Sequence, residues 1–298
     1  MTKSRLIIGC GYLGRRVARI WVAQGDAVFA LTRSIENAES LRQSGITPIV
    51  GDVTDNASLA GLPEVDTLLY AVGLDRRTGH SQREVYVAGL DNVLQHIAGK
   101  VRRLVYISST SVYGQDRGEW VDETSDCRPG SANGQVCLDA ERLLQQKLPE
   151  ANGLRLAGIY GPGRLVARIE ALRAGQSPGG NPDAWLNLIH VDDAAAAVLA
   201  CELRGTPGAT YLVCDDHPCR RREYYSLLAA MIGAPVPFPS SGEGLPESGE
   251  PVPATSPEQP HPSNLNKRCR NRRLREKLQV DLQYPRFDVG LPNALATP

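Results

Sequence analysis

The residues best suited to chemistry open the chain. Gly9-Cys10-Gly11-Tyr12-Leu13-Gly14 has the G-x-G-x-x-G spacing. Gly9 permits a tight turn, Gly11 lets the backbone approach a pyrophosphate, and Gly14 lets a helix pack closely on a strand. The next helix then turns its free N–H groups and partial positive charge toward the phosphates, with Tyr12 and Leu13 beside them. Context gives the motif its weight, because strand-like Leu6-Ile7-Ile8 precedes it and a helical pattern follows. A nicotinamide dinucleotide is the ligand this arrangement implies.

Which dinucleotide is decided at the end of the second strand. A site for NAD places Asp or Glu there to hold the ribose 2′-hydroxyl. This chain has Ala30-Leu31-Thr32-Arg33-Ser34, with no acid before Glu36. The guanidinium of Arg33, with hydroxyls from Thr32 and Ser34, suits a 2′-phosphate. Arg15 is a second candidate. NADP(H) is therefore expected over NAD(H).

The elements that must position these groups alternate regularly. Strands are expected at Leu6–Ile8, Ala27–Leu31, Ile46–Val50, Thr67–Val72, Leu104–Ile107, Leu154–Ile159 and Thr210–Val213. Helices are expected at Tyr12–Gln24, Ser81–Ala98, Val136–Lys147, Arg164–Ala174, Asp192–Glu202 and Arg221–Ile232. Short apolar strands separated by helices predict an α/β fold, a Rossmann-type doubly wound parallel sheet. Residues 1–160, with 186–203 returning to them, are expected to form the cofactor domain. Residues 161–183 and 205–291 are expected to form a smaller C-terminal substrate-side lobe. Pro235–Pro262 is rich in Pro, Gly, Ser and Glu and poor in large apolar residues, which predicts a mobile loop.

Composition narrows the class. The chain has 298 residues, with 33 Lys+Arg against 33 Asp+Glu. Zero formal charge argues against nucleic acid or a membrane surface as partner. The basic run Lys267 to Lys277 reads as a solvated helix face. The longest apolar run, Ala194 to Cys201, is too short to cross a bilayer, and Met1–Arg5 carries no secretory pattern. Seven scattered cysteines fit a reduced, cytoplasmic setting better than a disulfide framework. Cys214 and Cys219 lack a second pair for zinc. His190, Asp192 and Asp193 read as a helix start with first-turn acids, so no metal site is expected.

Longer segments resemble a known family. Gly51-Asp52-Val53, Tyr70-Ala71-Val72-Gly73, Val105 to Gly114, Leu154 to Gly163, Ile189 to Asp193 and Asn266 to Cys269 are similar to signatures of the short-chain dehydrogenase/reductase superfamily. The likeness is to its extended epimerase/dehydratase branch, and within that to atypical members. It covers nearly the whole chain, although Ile8 stands where that branch usually has a first glycine. The resemblance implies that Asp52, beside Val53, faces the adenine amino group, and that Ala71, Val72 and Gly73 line the cofactor. It also implies a small-molecule substrate of the nucleotide-sugar class and a homodimer.

The family's chemistry needs a tyrosine and a lysine four residues apart, the first exchanging a proton and the second holding a positive charge beside it. The resemblance places those positions at Asn133 and Cys137, which can do neither. No Tyr-x-x-x-Lys lies within Asp116–Lys147. Ser109 keeps the serine position, and Tyr86 stands where an active-site asparagine is common. These two are the catalytic candidates. Tyr113 is a further residue at the pocket's border, with a packed phenol the plainer reading for it and for Tyr86. Asp122 and Glu123 read as solvated loop acids. Two functions stay open: an NADP(H)-dependent oxidoreductase or epimerase-like enzyme with a degenerate site, and a non-catalytic NADP(H)-sensing regulator. A relative that no longer binds cofactor is disfavoured by the glycines, Asp52 and Arg33.

Overall fold

A computed structural model describes residues 2–238 and 265–296. The expected mobile loop lies, from residue 239 onward, outside the described residues. The strands are β1 (Ser4–Ile8), β2 (Ala27–Thr32), β3 (Thr47–Val50), β4 (Val65–Tyr70), β5 (Val101–Ser109), β6 (Glu119–Val121), β7 (Asn152–Leu156) and β8 (Gly158–Tyr160). After them come β9 (Trp185–Leu186), β10 (Leu188–His190), β11 (Thr210–Val213), β12 (Cys219–Arg220) and β13 (Lys267–Cys269). Helices are α1 (Tyr12–Ala23), α2 (Ile35–Gln43), α3 (Gly89–Ile97), α4 (Ala132–Lys147), α5 (Val166–Arg173), α6 (Val191–Arg204), α7 (Arg221–Ile232), α8 (Arg272–Glu276) and α9 (Phe287–Leu295).

Seven strands form one parallel sheet in the order β11-β7-β5-β4-β1-β2-β3. From β1 the chain winds outward through β2 and β3, then returns to β1's other side with β4. Strand order reverses there, which opens a crevice at the carboxyl ends of β1 and β4. Register keeps those ends level, with Ile8 beside both Leu31 and Tyr70. Alternate residues of β1 enter opposite layers: Ile7 packs with Val17, Trp21, Ala194 and Val198, while Leu6 and Ile8 pack with Leu90, Val93 and Leu104. Burial on both faces is why the strands read as continuous apolar runs.

At the opposite end, the Arg5 guanidinium is 3 % exposed and held between Asp26 and Glu202. Trp21 Nε1 donates to Glu202 at 3.1 Å. This ion pair ties α1 and α6 to the base of β1.

Three expectations are corrected by tertiary context, and a helix is added. Leu154–Ile159 is two strands: β7 stays in the main sheet, and β8 leaves it to pair with β10. Thr210–Val213, expected in the lobe, is the edge strand of the main sheet. Ser81–Ala98 is broken by a π-helical turn at Glu84–Ala88 ahead of α3. Helix α9, with Pro292 inside it, was not expected and packs Phe287 and Leu291 against Tyr160 and Tyr224. Among the described residues, no helix is long and apolar enough to cross a membrane.

Candidate active site

The glycine loop turns sharply out of β1. Gly9 has φ +91°, and a Cβ there would lie 2.4 Å from the Ala71 carbonyl oxygen. Gly14 is as tightly placed, 2.7 Å from the Gly9 oxygen on the same construction, so it seats α1 on the loop and does not face the crevice. A Cβ at Gly11 would meet no atom within 4 Å. The loop therefore presents open space where a phosphate needs it, above the start of α1, and the residues fit a bound dinucleotide. Burial pushes the Cys10 thiol up to about 11, so it sits in the loop as an uncharged group.

A cleft of about 490 Å³ runs across the strand ends from this loop. Gly9, Gly11, Tyr12, Leu13, Thr32, Arg33, Asp52, Val53, Ala71, Val72 and Gly73 all line it. At one side Asp52 Oδ1 accepts the backbone N–H and hydroxyl of Thr54, each at 2.8 Å, which fixes the carboxylate at the cleft wall. Val53 packs against Gly89 at the start of α3, and its carbonyl accepts Asn92 Nδ2 at 2.9 Å.

The β2 end is basic and hydroxylated. Asn37 is its organiser: Nδ2 donates to Thr32 Oγ1 at 2.7 Å, while its side-chain oxygen accepts from Arg15. Arg33 reaches across the cleft mouth to Asp75, Nη2 to Oδ2, at 2.9 Å. Ser34 is corrected: its Oγ accepts the Asn37 N–H at 3.0 Å as the N-cap of α2, and it does not line the cleft. A hydroxyl at that position serves a helix start equally well. Asn37 and Asp75 were missed. Three residues after a cap, Asn37 carried a weak signal, while Asp75 carried none, since it arrives from another strand.

At the other end lie Ile107, Ile159 and Arg164. Arg164 was also missed; it stacks on Tyr12 at 5.4 Å, and the Tyr12 hydroxyl donates to the Pro162 carbonyl at 3.0 Å. Neither catalytic candidate lines the cleft. Ser109 Oγ accepts the Ser111 N–H at 3.1 Å, starting the turn Thr110–Val112. Tyr86 is half-buried and its hydroxyl accepts the Leu74 N–H at 3.2 Å, just beyond Gly73. Burial raises the Tyr86 phenol, so it stays protonated. Asn133 is exposed near the start of α4, and Cys137 is buried one turn later. Gln82 Nε2 approaches the Cys137 sulfur at 3.9 Å, and burial raises that thiol.

A second layer holds the serine segment in place. Arg155 pairs with Glu141 at 2.7 Å and donates to the Tyr113 hydroxyl at 2.8 Å, while Lys267 donates to the Tyr113 carbonyl at 2.9 Å. Tyr113 is thereby fully buried, not a pocket wall. Glu123 is also corrected: its side chain is 3 % exposed and accepts the Leu212 N–H at 2.8 Å. His190 caps α6 by accepting the Asp192 N–H, and Asp193 accepts N–H bonds from Gln283 and Tyr284. Burial lowers the His190 pKa, which keeps the imidazole neutral. No grouping of His, Cys, Asp and Glu that could hold a metal occurs among the described residues.

Residues 6–214 match the NAD dependent epimerase/dehydratase family. The chain belongs to that family. Its fold and glycine loop are those of an NAD(P)-binding Rossmann domain, and its relatives include named reductases. Protein YeeZ of Escherichia coli K12 is 30% identical over 243 residues, covering 79% of this chain and 86% of YeeZ. The 4-hydroxy-2-methyl-3-oxo-4-farnesyl-3,4-dihydroquinoline-1-oxide ketoreductase of Stigmatella aurantiaca is 29% identical, covering 76% of this chain and 72% of the ketoreductase. Among solved structures, Bordetella bronchiseptica WbmG in complex with NAD and UDP superposes with a TM-score of 0.77 over 99% of this chain and 94% of WbmG. At 20% identity, that likeness speaks for the fold alone.

Proposed function

We propose that this member of the epimerase/dehydratase family is an NADP(H)-dependent oxidoreductase acting on a carbonyl or alcohol of a small molecule. The observation that carries the cofactor choice is the β2 end of the cleft. Thr32, Arg33 and Asn37 line it, with Arg15 bonded to Asn37, and the chain joining β2 to α2 offers no carboxylate for a ribose hydroxyl. When bound, the cofactor supplies or takes a hydride. The protein's own residues hold the phosphates with the Gly9–Gly14 loop, the adenine side with Asp52 and Val53, and the far side with Ala71–Gly73.

The usual proton-transfer pair is replaced by Asn133 and Cys137 in this reading. Ser109 and Tyr86, which do not line the cofactor cleft itself, then serve the substrate side beside it. Ser109 hydrogen-bonds the substrate oxygen, and Tyr86, still protonated near neutral pH, gives a proton to the alkoxide during reduction and receives it back during oxidation. Likeness to a named ketoreductase supports a reductase over an epimerase. Substrate is proposed to enter between the sheet and the lobe built from α5, α7 and α9. The degenerate pair itself favours a second reading, an NADP(H)-sensing regulator without turnover. Disappearance of NADPH over a panel of ketones and nucleotide sugars separates the two. Turnover that falls at least about tenfold in Ser109→Ala and Tyr86→Phe supports the enzyme. Tight NADPH binding with no turnover, unmoved by either substitution, supports the sensor.

A further inference from the structure

The cleft mouth carries a carboxylate that the β2–α2 stretch lacks. Asp75 comes from the loop after β4, while Arg33 directly follows β2 on the other side of β1, and the two meet at 2.9 Å with both lining the cleft. Asp75 is already engaged: its carboxylate accepts the Arg77 backbone N–H, Nε and Nη2, all at 3.0–3.1 Å. Those bonds, then the one from Arg33, hold its carboxyl well below the usual range, so it keeps its charge. The pair with Arg33 is partly wet, with side-chain exposures of 45% for Arg33 and 24% for Asp75. A wet ion pair is weak, whereas a phosphate offers a guanidinium a more highly charged, multidentate partner.

We infer that Asp75 is a specificity-determining residue, an internal competitor for Arg33 that the 2′-phosphate of NADP(H) must displace. This rests on the NADP(H) reading above. On exchange, Arg33 turns to the phosphate and Asp75 stays with Arg77, so the turn Arg76–Thr78 loses its tie to β2. A cofactor without the phosphate leaves the pair intact. Affinity for NADP(H) is thus reduced by the exchange, and affinity for NAD(H) is not.

The test is a fluorescence titration of the full chain with NADPH and with NADH. It compares the parent chain, Asp75→Asn, Asp75→Ser, Arg33→Ala and the Arg33→Ala/Asp75→Asn double variant. Asn and Ser retain the capping acceptor for Arg77 while removing the charge. NADPH should bind about three- to tenfold more tightly in both Asp75 variants, with NADH unchanged and the gain absent when Arg33 is Ala. Unchanged NADPH affinity, or weakened NADH binding, overturns the inference and makes Asp75 a ribose-hydroxyl acceptor or a bystander. The NADP(H) reading is judged separately, from the parent and Arg33→Ala curves. NADH binding as tightly as NADPH in both would overturn that reading and this inference with it.

Discussion

Gly9 and Ala71 touch backbone to backbone: the loop after β1 lies so close to the end of β4 that a Cβ on Gly9 would sit 2.4 Å from the Ala71 oxygen. The contact fuses the phosphate loop to the opposite wall of the cleft. Gly9→Ala must either open the cleft or unwind the turn at φ +91°. It should cost about 2–4 kcal/mol of stability and abolish cofactor binding. Gly11→Ala, which meets open space, should leave the thermal midpoint unchanged and weaken cofactor binding alone. Thermal unfolding with and without NADPH reads both.

The base of the sheet depends on a buried ion pair. Arg5 is 3 % exposed and Glu202 also accepts the Trp21 N–H. Glu202→Gln leaves that guanidinium with Asp26 as its one remaining carboxylate, and should cost about 1–3 kcal/mol in urea unfolding. Loss of less than about 1 kcal/mol would mean that Asp26 alone satisfies Arg5.

Asp215 makes stability fall as pH rises. It is 1 % exposed, and burial, with Asp216, Asp193 and Asp288 adding to it, pushes its carboxyl up to about 8. Unfolded, it titrates at about 3.9. The folded chain holds this proton across the interval between those values while the unfolded chain has released it, so folding weakens with each step of pH through that window. Asp215→Asn keeps an acceptor for the His217 N–H and should flatten this part of the urea-midpoint profile, with its largest gain near pH 8. An unchanged profile would show that Asp215 is ionised in the folded protein.

Much of the fold was legible because two-sided burial makes β1, β4 and β5 continuous apolar runs, and because the glycine spacing has few other uses after a strand. Local pattern could not show what distant contacts decide. Leu154–Ile159 reads as one strand, yet Val213 draws Ala157 to the sheet while Asn187 pairs with Gly158 beyond it. Ser34 has the chemistry of a phosphate ligand and of a helix cap, and the helix took it. Glu123 looks like a solvated loop acid until the Leu212 N–H supplies a buried partner, whereas Tyr113 is the packed phenol of its plainer reading, held by Arg155. Asp75 is invisible beside Arg33 in sequence because β1 lies between their strands.

The central claim is that the cleft selects NADP(H) through Arg33, and a binding titration of the parent chain and Arg33→Ala with NADPH and NADH tests it most directly. NADPH should bind at least about tenfold more tightly than NADH to the parent chain, and Arg33→Ala should remove most of that difference by weakening NADPH alone. NADH binding as tightly as NADPH, or equal weakening of both by Arg33→Ala, would contradict the account.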